Sequence, residues 1–348
     1  MPYTILKADL KKNKEDILSL WKRNFPDLPE ERYQWIYENN PAGPASCWLI
    51  KENRQNKIVG ATSLFPRRIL LNGKQVTAGI AGDFAIDKEH RSLGPALLLQ
   101  KAALPKGSEI PFDFLYGFPN KISEPVLVKA GYKILGEVHS LTKPLKSYYY
   151  LKRHANLPVI TKPLSFLADL GLKISSKERY SKNSEYEFEA LTSFDQRFDT
   201  FWDSVSAQFP MIGERTCSYL NWRYIQSTHK NYQVLALIRK SNRDIFGYIV
   251  YNIVDNKAHI ADLLSLNINE VLYSLFSGFL LYQRTRGIDA VTISFAGAHA
   301  LMKKLKQYGF SVRTSSGKVI KYSAFGSADL LDVLDKSQWY LLPGDNDI

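Results

Sequence analysis

The run Gly82-Asp83-Phe84-Ala85-Ile86-Asp87-Lys88-Glu89-His90-Arg91-Ser92-Leu93-Gly94-Pro95-Ala96 holds the residue types that handle a phosphate. A strand pattern ends at Ile86, a polar turn follows, and the small residues Gly94 and Ala96 open a helix whose apolar face is Leu97, Leu98, Ala102 and Leu104. The first N–H groups of a helix have no acceptor inside it, and its dipole adds partial positive charge there, so such a turn attracts a pyrophosphate. Gly94 leaves the backbone open to close approach. Pro95 gives no N–H but has the φ that a first helical turn needs. Arg91 adds charge. Asp83 sits near the strand end, where a carboxylate can take a proton or orient a water. The alternative for Asp83 is a salt-bridged or solvated side chain. Tyr116, on the following strand pattern, is a candidate acid or acceptor-positioning group, with a tethered core aromatic as the alternative. Asp87 and Glu89 read as surface charges of the turn, and His90 as a turn histidine with no chemical role.

These residues have a familiar order. Arg91-Ser92-Leu93-Gly94-Pro95-Ala96 resembles the Gln/Arg-x-x-Gly-x-Gly/Ala acyl-CoA motif of the GNAT superfamily. Phe84-Ala85-Ile86 resembles the end of the strand that pairs with the pantetheine arm in that family. Leu115-Tyr116-Gly117-Phe118-Pro119-Asn120 and Lys129-Ala130-Gly131-Tyr132 resemble its next strand, the Asn after it, and its aromatic-Gly ending. The resemblance covers most of residues 1–140. It implies acetyl-CoA or another acyl-CoA as co-substrate, held by Phe84, Ala85, Ile86, the Arg91–Ala96 loop and Asn120. It also implies an N-acyltransferase that needs no metal, with a backbone N–H near Ala85 or Ile86 facing the oxyanion. The sequence departs from the family at one position: the tyrosine expected four residues before the terminal glycine is Leu127.

The elements that must position this run occur twice. Phe25-Pro26, Glu31-Arg32 and Trp35-Ile36-Tyr37 are answered by Phe209-Pro210, Glu214-Arg215 and Trp222-Arg223-Tyr224. A strand pattern, a polar turn and a second strand with Gly60 or Gly247 follow in each half, and each closes on Gly131-Tyr132 or Gly309-Phe310. A shared order at similar spacing points to an internal duplication. The expected fold is therefore α/β with mixed sheets, as two tandem GNAT-like domains at residues 1–140 and 187–348. A basic connecting arm spans 141–186, with a short helix near Leu164 to Leu172. The first domain predicts helices at Lys14–Asn24 and Glu30–Glu38, a strand set ending at Gly82–Ile86, a helix from Leu93, and strands at Asp113–Gly117 and Lys133–Val138. In the second, Leu266-Asn267-Ile268-Asn269-Glu270-Val271 replaces the phosphate loop. It has no glycine, and Glu270 repels phosphate, so this half is expected to wall the acceptor pocket without binding CoA.

The 348 residues suit two domains, and the apolar fraction of 45% suits a folded core. The formal charge of +12 attracts anions without choosing among them. Cys47 and Cys217 have no metal-ligand spacing. The apolar run Val271 to Tyr282 is too short to span a bilayer, and the N-terminus lacks a signal-peptide core, so the expected location is the cytoplasm. The leading expectation is an acyl-CoA:amine N-acyltransferase acting on a small-molecule or saccharide-linked amine. The rivals are a Fem-type transferase using aminoacyl-tRNA, which the CoA motif disfavours along with nucleic-acid partners in general, and an acyl-CoA-binding module without turnover.

Overall fold

A computed structural model describes residues 2–104, 111–147, 185–297, 299–323 and 338–346. The expected helix near Leu164 to Leu172, with most of the basic arm, lies outside the described residues.

The first half opens with a strand that sequence reading missed, β1 (Tyr3–Lys7), antiparallel to β2 (Ser46–Glu52). Between them lie α1 (Lys14–Asn24) and α2 (Glu31–Tyr33), which runs into a π-helical turn at Gln34–Glu38. In α1 the residues Ile17, Leu18, Leu20 and Trp21 are buried, with acids in the first turn and bases in the last, matching the helix dipole. The strands β3 (Lys57–Leu71) and β4 (Lys74–Ile86) form one long hairpin. Its Asn72-Gly73 turn has positive φ at both residues, the chemistry of a tight hairpin turn. Then follow α3 (Leu93–Ala102), β5 (Phe114–Gly117), α4 (Glu124–Ala130) and β6 (Lys133–Pro144).

The second half contains β7 (Tyr186–Leu191), α5 (Arg197–Val205), β8 (Met211–Gly213) and α6 (Cys217–Leu220), which also runs into a π-helical turn, Asn221–Ile225. It continues with β9 (Gln233–Arg239), β10 (Ile245–Val254), β11 (Lys257–Ser265), α7 (Val271–Thr285), β12 (Ala290–Gly297), α8 (His299–Gln307), β13 (Ser311–Ser323) and β14 (Trp339–Leu341).

All described strands join one mixed sheet in the order β1-β2-β3-β4-β5-β13-β6-β12-β11-β10-β9-β7, with β14 and β8 bridging from β12 to β3. The order reads alike from both ends. Five strands of one half lead inward to β13, and five of the other lead inward to β6. Each half thus receives a strand of the other: β13 pairs β5, and β6 pairs β12. The strands β6 and β13 pair with each other at the centre. The fourth and fifth strands of each half run parallel, β4 with β5 and β11 with β12. No described helix is long and apolar enough to cross a membrane.

Candidate active site

The strands β4 and β5 pair from Ala78↔Phe114 to Ala81↔Gly117 and then part. Beyond the parting, β4 continues through Gly82–Ile86 with β3 as its one strand partner among the described residues, and on the outer edge Ile86 O accepts from Arg91 Nε while the outward N–H groups face the gap. Asp87 N–H bonds Val59 O at 2.7 Å. Strand alternation therefore turns Ala85 toward β3, and Phe84 and Ile86 toward the parting. A cavity of about 220 Å³ fills the gap, lined among others by Ala81, Asp83, Phe84, Gly117, Phe118, Asn120 and Leu127. Its floor carries Gln100, whose Nε2 donates to Thr62 Oγ1 at 2.9 Å.

A bulge shapes this edge. Thr62 faces both Asp83 and Phe84, as the register shifts between Ala61↔Ala85 and Ser63↔Gly82. Asp83 takes φ 46°, a left-handed conformation that Asp tolerates better than most residues. The bulge turns its carboxylate back into the fold. Asp83 Oδ2 accepts from Arg32 Nη1 at 2.8 Å and from Tyr37 OH at 2.9 Å. Tyr37 OH also meets Ser63 Oγ at 2.7 Å. Burial, then the Asp83 charge, pushes the Tyr37 hydroxyl pKa well above its ordinary value. The Asp83 side chain is buried yet borders the cavity. Sequence reading missed Arg32, Tyr37 and Ser63 as its partners, although Glu31-Arg32 and Trp35-Ile36-Tyr37 were among the repeated pieces.

The Arg91–Ala96 segment runs from a turn into the start of α3. Ser92 is the extended residue before α3, and Leu93 and Gly94 begin the helix exposed to solvent. A side chain added at Gly94 would meet no atom within 4 Å, so the approach to the first-turn N–H groups is open. Pro95 and Ala96 are buried beneath. Arg91 folds back instead of reaching outward: its Nε donates to Ile86 O at 2.9 Å and its Nη2 to Asn24 Oδ1 at 2.9 Å. It fixes the loop to the end of β4. Asp87 is no surface charge. It is buried, accepting from Arg23 Nε at 3.0 Å and Asn24 Nδ2 at 2.9 Å. His90 Nδ1 lies 2.9 Å from Tyr3 OH.

Tyr116 stands on the other side of the sheet's chemistry. It is fully buried, and its hydroxyl donates to Asp345 O at 2.8 Å. Burial, then the Asp345 charge, raises its pKa well above the ordinary value. It does not line the cavity and makes no bond to Asp83. Asn120 caps the turn, its Oδ1 accepting from Ile122 and Ser123 N–H, each at 2.9 Å.

In the second half, Arg215 and Asp262 hold the places of Arg32 and Asp83: Asp262 precedes the end of β11 as Asp83 precedes the end of β4. Arg215 Nε bonds Asp262 Oδ1 at 3.1 Å. Here a third element closes the site. Asp345 binds Arg215 Nη2 at 2.7 Å and Arg67 Nη2 at 2.8 Å, all fully buried. Asn267 and Glu270 precede α7 where the first half has its glycine loop. Cys47 and Cys217 are free thiols, and burial pushes Cys47 up to about 12. Among the described residues no cluster of His, Cys, Asp and Glu could hold a metal.

Residues 8–135 match a family model described as an acetyltransferase (GNAT) domain. No curated protein matches the chain. Among solved structures the chain is similar to a conserved protein of Enterococcus faecalis V583, titled a probable N-acyltransferase, at 13% identity over 92% of this chain and 72% of that chain, with TM-score 0.65. A GCN5-related N-acetyltransferase from Anabaena variabilis gives 17% identity, 92% and 72% coverage and TM-score 0.65. The N-myristoyltransferase of Saccharomyces cerevisiae with bound myristoyl-CoA gives 13% identity, 92% and 78% coverage and TM-score 0.55. At these identities the likeness is one of fold.

Proposed function

The chain carries an acetyltransferase domain of the GNAT family at residues 8–135, and from that premise we propose that it is an acetyl-CoA-dependent N-acyltransferase acting on a small-molecule or saccharide-linked amine. One observation carries the reading. The parting of β4 from β5 leaves outward N–H groups facing a gap that leads straight to an open helix N-terminus at Leu93 and Gly94. A pantetheine arm can pair with the edge at Phe84 and Ile86 while the pyrophosphate meets the first-turn N–H groups. Arg91 holds the loop against β4, and Asn120 holds the turn opposite.

In the reaction the neutral amine attacks the thioester carbonyl carbon. The oxyanion forms where the outward N–H groups of β4 can donate, Phe84 being the one that lines the cavity. Collapse breaks the C–S bond. The amine's proton passes to a carboxylate or water, and the leaving thiolate takes a proton in turn. We assign Asp83 the first role, directly or through an ordered water, with Arg32 and Tyr37 fixing its carboxylate. Tyr116, bound to Asp345 O, serves as an anchor between the halves. The two halves with their exchanged strands fit an internal duplication, of which only the first retains the phosphate loop.

A second reading, an acyl-CoA-binding module without turnover, is favoured by the aliphatic Leu127 on the cavity wall. Calorimetry with acetyl-CoA and CoA tests the common premise. Gly94→Glu, which puts a negative charge into the open space above the helix N-terminus, is expected to abolish binding, while Gly94→Ala retains it. Unchanged affinity in Gly94→Glu overturns the site. Thiol release on an amine panel then separates enzyme from module.

A further inference from the structure

The turn Phe118-Pro119-Asn120 is shared by two cavities. The first is the one at the parted strands, of about 220 Å³. The second, of about 370 Å³, lies across the turn, between β6, the end of β12 and the segment after β14. Its apolar walls are Phe118, Val138, Phe295, Leu341, Leu342 and Pro343, and Asn120, Ser294, Lys318 and Asn346 are its polar residues. The size is that of a small-molecule site, since ligand pockets start at roughly 300 Å³. Both halves of the chain build it, and Phe118, Pro119 and Asn120 line both cavities.

Resting on the acyltransferase reading, we propose that this second cavity is the acceptor site and that its substrate is a primary amine on an apolar body. Among the described residues no carboxylate lines the cavity to hold an ammonium. Lys318, at its edge, is paired with Glu124. An apolar wall disfavours the charged form of an amine and so favours the nucleophilic one. A saccharide body carries more hydroxyls than the four polar residues can meet, and each one left against Phe295, Leu342 or Pro343 costs about 1–3 kcal/mol. An alkyl or aryl body would instead gain from burial there.

The test is steady-state thiol release by the full chain with acetyl-CoA and two probes, 4-phenylbutylamine and glucosamine. The expected kcat/KM ratio favours the apolar amine by about 100-fold, the discrimination a site gains from burying an aromatic body. Val138→Trp, at a partly buried strand position, narrows the cavity. It is expected to raise the KM for 4-phenylbutylamine at least about tenfold and to leave acetyl-CoA affinity unchanged by calorimetry. Equal or better use of glucosamine overturns the proposal while the acyltransferase reading stands. So does an unchanged KM in Val138→Trp. If the parent protein binds no acetyl-CoA, the acyltransferase reading fails first and the acceptor site falls with it.

Discussion

Trp35 and Trp222 stack at a centroid distance of 5.2 Å, and each indole N–H donates to the other residue's carbonyl. Trp35 Nε1 lies 2.7 Å from Trp222 O, and Trp222 Nε1 lies 3.0 Å from Trp35 O. Both residues stand in π-helical turns at matching places of the two halves. The pair is reciprocal, as the sheet order is. It ties the halves together independently of the exchanged strands.

Removing either ring should therefore cost more than a cavity. Trp35→Ala is expected to destabilise by about 3–5 kcal/mol. In a double-mutant cycle with Trp222→Ala, a coupling of about 1–2 kcal/mol should appear from the stacking and the paired hydrogen bonds. Urea unfolding of the four proteins measures it. Zero coupling would mean that each ring is held by its own half.

Asp345 is the second tie. Arg67 has its Nη2 on Asp345 and its guanidinium 3.6 Å above the Tyr219 ring, while its Nε and Nη1 have no partner among the described residues. Burial pushes the Asp345 carboxyl up, but Arg215 and Arg67 pull it down further, to below the ordinary value. Asp345→Ala strands the Arg67 charge in the interior and should cost about 3–5 kcal/mol. Asp345→Leu combined with Arg67→Met removes the charge with its partner and should be more stable than Asp345→Ala alone. Denaturant midpoints with equal slopes decide it.

A pH dependence follows from His229. Its ring packs 5.4 Å from Trp35, and neither nitrogen has a partner among the described residues. Burial, then Lys230, Arg32 and Arg223, lowers its pKa from 6.5 to about 4. Between those values the unfolded chain binds a proton that the folded chain refuses, so stability rises with pH across the window. Its contribution is complete above pH 6.5 and falls away as the pH drops toward 4. His229→Gln should flatten that part of a stability–pH curve. An unaltered slope would place the lost protons elsewhere.

The helix start at Leu93, and the Arg32 and Arg215 pieces that pair with Asp83 and Asp262 in the fold, were legible in part because both rest on local order. Gly94 and Pro95 announce a helix start whatever surrounds them, and Glu31-Arg32 with Glu214-Arg215 repeat at matched places. What the sequence hides is the exchange of β6 and β13, since a strand carries no local mark of its partner. Asp345 is 130 residues from Arg215 and 278 from Arg67. No spacing rule connects them. Asp87 fails for a related reason: a charged residue in a turn reads as exposed until Arg23, from α1, is seen to cover it. The first strand of each half, β1 and β7, was missed because a short edge strand of mixed polarity has little pattern to show.

Leu127 lines the cavity where the family's tyrosine is expected. Leu127→Tyr places a hydroxyl beside the parting of β4 and β5. If protonation of the thiolate limits the rate, turnover should rise by about tenfold or more with acetyl-CoA affinity unchanged. A kcat no higher than the parent's counts against thiolate protonation as the rate-limiting step.

Asp83 and Tyr116 should separate cleanly under mutation. Asp83 borders the cavity, with Oδ2 held by Arg32 and Tyr37. Asp83→Asn keeps the shape of the side chain but loses the charge. Its kcat should fall about a hundredfold, the usual cost of losing a positioned base, with acetyl-CoA affinity near the parent's. The variant also leaves Arg32 facing a neutral amide in a buried place, so some loss of stability accompanies it. Arg32→Met at an intact Asp83 tells that loss apart from the chemistry: it should destabilise without reproducing the whole fall in kcat. Tyr116→Phe removes one hydrogen bond to Asp345 O. It should cost about 1 kcal/mol of stability and leave kcat within about threefold, since a catalytic acid would cost about a hundredfold. A Tyr116→Phe enzyme as slow as Asp83→Asn would return the tyrosine to the chemistry. Full activity in Asp83→Asn would leave proton removal to water.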